Sequence, residues 1–112
     1  MTIQDIVNKL NLTVFSGVEG LSVQITGGYT SDLLSDVMGH ADSGKIWITL
    51  QAHKNVMAIA SLKELAAVIL IKNITPDDDT IALSNQERIP ILGSDEEAFE
   101  LSGKLYCLLQ NC

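Results

Sequence analysis

The sequence predicts an α/β fold of three layers, with a mainly parallel sheet of about five strands. Two observations carry this. Four apolar stretches each run into a short polar loop that then opens a helix: Thr26 to Asp32, Thr49 to Asn55, Lys72 to Pro76, and Gly93 to Asp95. Repeated strand-loop-helix units of this kind build parallel sheets. Ala67-Val68-Ile69-Leu70-Ile71 is an unbroken apolar run, the pattern of a strand covered on both faces. The composition agrees, since 46% of the chain is hydrophobic but only 4% aromatic, which calls for a core of Leu, Ile, Val and Ala. At 112 residues, the chain reads as one domain over 1–112.

The elements follow in order. Thr2 caps a first helix, with Asp5 completing a capping box and Ile3, Ile6, Val7 and Leu10 on one face. Asn11 ends it. Leu12 to Phe15 is a short strand at an edge or paired antiparallel, closed by Ser16-Gly17. Leu21 to Thr26 is expected as a second strand, broken by Gly27-Gly28. Thr30 or Ser31 then caps a helix that buries Leu33, Leu34, Val37 and Met38. Ile46 to Leu50 is a central strand, and a helix runs from about Asn55 to Leu65. After the Ala67–Ile71 strand, Thr75 caps a helix with Pro76 at its first position, where no N–H is needed. Ile89 to Leu92 is the last strand; its proline marks an edge or a strand start. Ser94 and Glu97 form a capping box for a final helix carrying Phe99, Leu101, Leu105, Leu108 and Leu109.

Charge narrows the partners. Fourteen acidic and 7 basic side chains give a net charge of −7, which repels a phosphate backbone and argues against nucleic acid. The apolar runs are too short to span a bilayer. The start Met1-Thr2-Ile3-Gln4-Asp5 lacks a positive signal region, so the cytoplasm is expected. Cys107 and Cys112 read as a helix-face thiol and a frayed terminal thiol, because a disulfide framework would spread more cysteines along the chain. No second Cys/His pair exists for a metal. Neither a metal nor a cofactor is expected.

The candidate sites lie in the loops. Gly39 to Lys45 matches most of a GxxxxGK phosphate loop, but Ile46 stands where Ser or Thr must reach magnesium. The stretch also follows a helix and opens a strand, the reverse of a working loop, so Gly44 and Lys45 read as a turn. Asp77, Asp78 and Asp79 sit at a helix start, where they suit the dipole better than a cation. His40 lies near a helix end, where its charge also suits the dipole. The stretch Gly27, Gly28, Tyr29, Thr30, Ser31 and Asp32 is better placed. Two glycines admit close backbone approach, and the next helix start offers N–H groups to an anion. A tight turn with an N-cap uses the same residues. In the following loop Gln51, His53, Lys54 and Asn55 offer polar contacts. No spacing supplies His53 with an orienting acid or a nucleophile, so no catalytic residue is assigned.

These stretches resemble the DRTGG domain family, and its small standalone bacterial members most. Gly27 to Met38 is similar to a first signature of those members, Ile46 to His53 with Asn55 to Leu62 to a second, and Ile89 to Leu92 to the following strand. The resemblance implies an α/β fold shared with the N-terminal domain of HPr kinase/phosphorylase. Such domains are often fused to CBS pairs or phosphotransacetylase, which implies a regulatory, ligand-sensing role. Standalone members are often labelled serine kinases, and some occur near hydrogenase genes; the shared part is the non-catalytic domain. The name-giving motif is altered here: Gln51-Ala52-His53 stand where Asp-Arg-Thr falls, and Lys72-Asn73 replace Gly-Gly.

The function expected is therefore a non-catalytic module binding a small anionic or nucleotide-like metabolite at the strand ends, through the Gly27–Asp32 and Gln51–Asn55 loops. The alternative is a homodimeric interaction subunit without a small ligand, linked to hydrogenase or carbon metabolism. The failed phosphate loop argues against a kinase.

Overall fold

The computed structural model describes all residues from Met1 to Cys112. Its elements are α1 (Ile3–Leu10), β1 (Thr13–Ser16), a single 3₁₀ turn (Val18–Gly20), β2 (Gly27–Thr30), α2 (Leu34–His40), β3 (Lys45–Thr49), α3 (Asn55–Leu62), β4 (Ala67–Leu70), α4 (Asp78–Glu87), β5 (Ile91–Gly93) and α5 (Ala98–Gln110). The five strands are ordered β1-β5-β4-β3-β2. The ladders β2–β3, β3–β4 and β4–β5 are parallel, while β1 runs antiparallel to β5 at one edge.

Side-chain alternation splits the core in two. Ile46, Ile48, Ala67, Ile69 and Leu92 pack against Ile3 and Ile6 of α1 and Leu101 and Leu105 of α5. On the other face, Trp47, Val68, Leu70 and Ile91 meet Val37 of α2 and Val56, Met57, Ile59 and Ala60 of α3. The result is helix, sheet, helix. The helices α2, α3 and α4 cover one face, and α1 and α5 cover the other. No helix is long and apolar enough to cross a membrane.

The first capping box forms as expected, with Asp5 N donating to Thr2 Oγ1 and Thr2 N to Asp5 Oδ2. Several boundaries differ. Leu21 to Thr26 is not a strand. Its carbonyls instead satisfy the start of α1: Ile3 N donates to Val23 O at 3.0 Å and Gln4 N to Leu21 O at 2.9 Å. The second strand is Gly27–Thr30, so the two glycines lie inside a strand.

The helix caps also move. α2 is capped by Leu33 without a side-chain bond, and Leu33 and Met38 are exposed where burial was expected. α4 begins at Asp78 rather than Pro76, because Asp77 N is held by Ala52 O at 3.2 Å in an extended conformation. α5 begins at Ala98, since residues 94–96 are occupied in bonding Leu70, Lys72 and Asn73. Phe99 faces solvent rather than the core. The Pro90 reading resolves to a strand start, because β5 lies between β1 and β4. Cys107 and Cys112 form a disulfide instead of two free thiols: the chain turns back after α5 and brings their Cα atoms to 4.8 Å.

Candidate functional site: a cleft between the edge strand and the last helix

Nine of the ten residues that the sequence groups into one site fall in three separate places, and Tyr29 lies in none of them.

The first is the C-terminal end of β2 and β3. Asp32 Oδ1 accepts from Thr49 Oγ1 at 2.8 Å and from Leu50 N at 2.7 Å, and Gln51 Nε2 donates to Asp32 O at 2.9 Å. Trp47 Nε1 donates to Ser31 O at 2.8 Å. Ser31, Asp32 and Gln51 are therefore a tie between two strand ends. A shallow depression of about 360 Å³ beside them is bordered by Asp32, Glu97 and Glu100 against one cation, Lys72. Three carboxylates against one ammonium repel an anion.

The second place holds His53. Its Nδ1 lies 2.9 Å from Asp77 Oδ2, with both side chains half or more exposed. Asp77 is the orienting acid that no sequence spacing revealed, since it lies 24 residues away. Ala52 O accepts from both Asp77 N and Thr80 Oγ1, so the loop docks on the start of α4. No hydroxyl or thiol is bonded to the imidazole, so the pair lacks the nucleophile of an acyl- or phosphoryl-transfer site. Lys54 and Asn55 begin α3 beside it. No group of three His, Cys, Asp or Glu side chains is arranged to hold a metal ion.

The third place is a cleft of about 400 Å³ between edge strand β2 and α5. Gly28 explains why it exists. A Cβ there would meet Leu105 Cδ2 at 3.0 Å, so the bare backbone lets α5 lie close across the strand. Gly27, Gly28 and Thr30 form one side with Thr26. Ser102, Tyr106 and Gln110 of α5 form the other, over a floor of Ile48, Leu105 and Leu109. Thr30 Oγ1 and Ser102 Oγ, 2.7 Å apart, bridge the two sides. Lys45 is the only charged residue of the lining. Its ammonium, however, reaches Asp42 at 3.8 Å and lies 5.8 Å from the centroid of Tyr29, so the charge sits on the other face of the sheet and not over the cleft. Tyr29 points to the opposite face, where its hydroxyl donates to Asp36 Oδ2 at 2.9 Å. That bond, with burial and the charge of Asp36 behind it, raises the tyrosine pKa.

Neither Lys45 as a lining residue nor the α5 wall was expected from the sequence. A signal was present: Ser102, Tyr106, Leu109 and Gln110 recur at helical spacing on one face. The GxxxxGK resemblance leads nowhere, because Gly39 to Lys45 joins α2 to β3 and presents no helix start. Lys72 and Asn73, which stand where the family that the sequence resembles has Gly-Gly, both take left-handed backbone at φ 56° and 58°. Both φ values lie in the left-handed region that glycine favours.

Fold and cleft together define a three-layer α/β protein with an open edge strand. No family model matches the chain, and no curated protein matches it by sequence. Among solved structures, it is similar to the CBS and DRTGG domains of the regulatory region of the Clostridium perfringens pyrophosphatase, crystallised with the activator diadenosine tetraphosphate. The TM-score is 0.77 at 16% identity, over 97% of this chain and 46% of that one. The fold is thus DRTGG-like, and the chain spans less than half of that neighbour.

Proposed function

We propose that this chain is a non-catalytic regulatory module that binds a small nucleotide-like or anionic metabolite in the cleft between β2 and α5. The observation that carries the reading is the lining itself: no carboxylate, several hydroxyl and amide groups, and an aliphatic floor. Polar groups over an apolar base suit a base or sugar. The strand ends named from sequence are the weaker candidate, because their carboxylates outnumber their cations and their donors are already bonded. The neighbouring pyrophosphatase region, crystallised with an activating dinucleotide, supports a sensing role. The isolated His53–Asp77 pair and the failed phosphate loop support a module without its own chemistry. Kinship with the N-terminal domain of HPr kinase/phosphorylase and a cytoplasmic setting complete the reading.

A thermal-shift screen of nucleotides, acyl phosphates and sugar phosphates tests it. A ligand at a hundred times its Kd stabilises by about 2.7 kcal/mol, enough to move Tm by several degrees. The shift is expected to vanish in Gly28→Val and to persist in His53→Ala. A flat response to every compound overturns the reading.

A second reading is a homodimer without a small ligand. It is favoured by Phe99 and Tyr106, 84% and 64% exposed, beside the edge strand β2. Sedimentation distinguishes it: a dimer that Phe99→Glu dissociates supports it, and a monomer at all concentrations removes it.

A further inference from the structure

We propose that Cys107 and Cys112 form a reversible redox lock on the α5 wall of the cleft, closed as the disulfide and opened by a dithiol reductant. The two are the chain's only cysteines, and both are exposed. Cys107 lies in α5, and Cys112 lies just beyond its end. Asn111 turns the chain back at φ 59°, and the N–H groups of Asn111 and Cys112 both bond to Cys107 O. The backbone is thus already folded into the geometry that the disulfide needs. Leu109 and Gln110, which line the cleft, lie inside the closed loop, and Tyr106 directly precedes it.

A bridge over five positions removes little freedom from an unfolded chain, so its effect on global stability is small. Its effect is local, on the last turn of α5. Exposed sulfurs are open to attack by a thiolate. One thiolate of the dithiol attacks a sulfur of the pair, giving a mixed disulfide and releasing the other cysteine as thiolate. The second thiol of the reductant then displaces the remaining cysteine. Two electrons and two protons pass to the pair, which becomes two thiols, and the dithiol becomes a cyclic disulfide. That the lock governs ligand entry rests on the reading of the cleft given above; the lock itself does not.

The test is amide hydrogen exchange on the full chain, oxidised by glutathione disulfide or reduced by dithiothreitol. Alkylation and intact mass would report the thiol count in each form. The expected result is roughly tenfold faster exchange at Leu109 to Cys112 on reduction, with β4 unchanged, as local opening requires. Reoxidation should reverse it, and Cys112→Ser should exchange fast in both buffers. Equal exchange in the two forms, or a disulfide formed only between chains, overturns the lock. Adding ATP to both forms separates the two claims. Unequal affinity supports gating, and equal affinity refutes gating but leaves the cleft as a site. Absence of binding in both forms refutes ATP as a ligand of the cleft, while the exchange rates still decide the lock.

Discussion

Asp32 shows how a residue chosen for binding can be spent on architecture. Its carboxylate accepts from Thr49 Oγ1 and Leu50 N, so it fastens the end of β2 to the end of β3. Asp32→Ala would leave the buried Thr49 hydroxyl without an acceptor, a loss of about 1–3 kcal/mol. Asp32→Asn keeps one acceptor oxygen and should lose less. Urea denaturation of the two variants checks the order, and equal stabilities would contradict the structural role.

Tyr29 makes the second residue-scale prediction. The Asp36 hydrogen bond holds its phenol above the ordinary value near 10, so the folded state keeps that proton more tightly than the unfolded chain does. A raised pKa contributes stability that is fully present below the unfolded value and is lost as pH rises through the folded one. Absorbance titration should show one tyrosine ionising late, returning toward normal in Asp36→Asn. The long-range partnerships of the first two sites are not visible in the sequence as such. Asp32 and Thr49 are 17 positions apart, and His53 and Asp77 are 24 apart. Short-range spacing rules do not reach that far.

At the scale of elements, what was legible depended on where backbone groups found partners. The runs Ile46–Leu50 and Ala67–Ile71 could be placed because burial on both faces leaves an unbroken apolar signature. Leu21 to Thr26 has a similar local pattern, yet it serves as a cap for α1, and its neighbours Gly27 and Gly28 took the strand. Two adjacent glycines read locally as a break; here the close approach of Leu105 decides for a strand. The caps of α4 and α5 shifted by two or three residues because tertiary bonds to Ala52, Leu70 and the Lys72–Asn73 turn claimed the intervening backbone.

Two glycines give opposite predictions for the element they concern. Gly103 lies in α5, and a Cβ there would have no neighbour within 4 Å, so Gly103→Ala should stabilise by about 0.5–1 kcal/mol through helix propensity. Gly28→Val should instead lever α5 from the sheet and lower Tm. Paired melting curves check both signs, and a stabilised Gly28→Val would contradict the packing described.

For the whole molecule, layer order and charge decide where a ligand can sit. The sequence located the sheet, its parallel sense and the antiparallel edge. It pointed the site to the strand ends, because that is where open parallel sheets usually bind. Here those ends are tied by Asp32 and bordered by acids around a depression of about 360 Å³, and a cleft of about 400 Å³ lies along the flank of β2. That flank is made by α5, the element farthest in sequence from the residues first chosen.

The first experiment to make is an NMR amide titration of the full chain with ATP and with diadenosine tetraphosphate. Binding in the cleft requires saturable shifts at Gly27, Gly28, Lys45, Ser102 and Tyr106, lost in Gly28→Val. Shifts confined to Asp32, Gln51 and His53, or no saturable shift with either ligand, would rule the cleft out as the site.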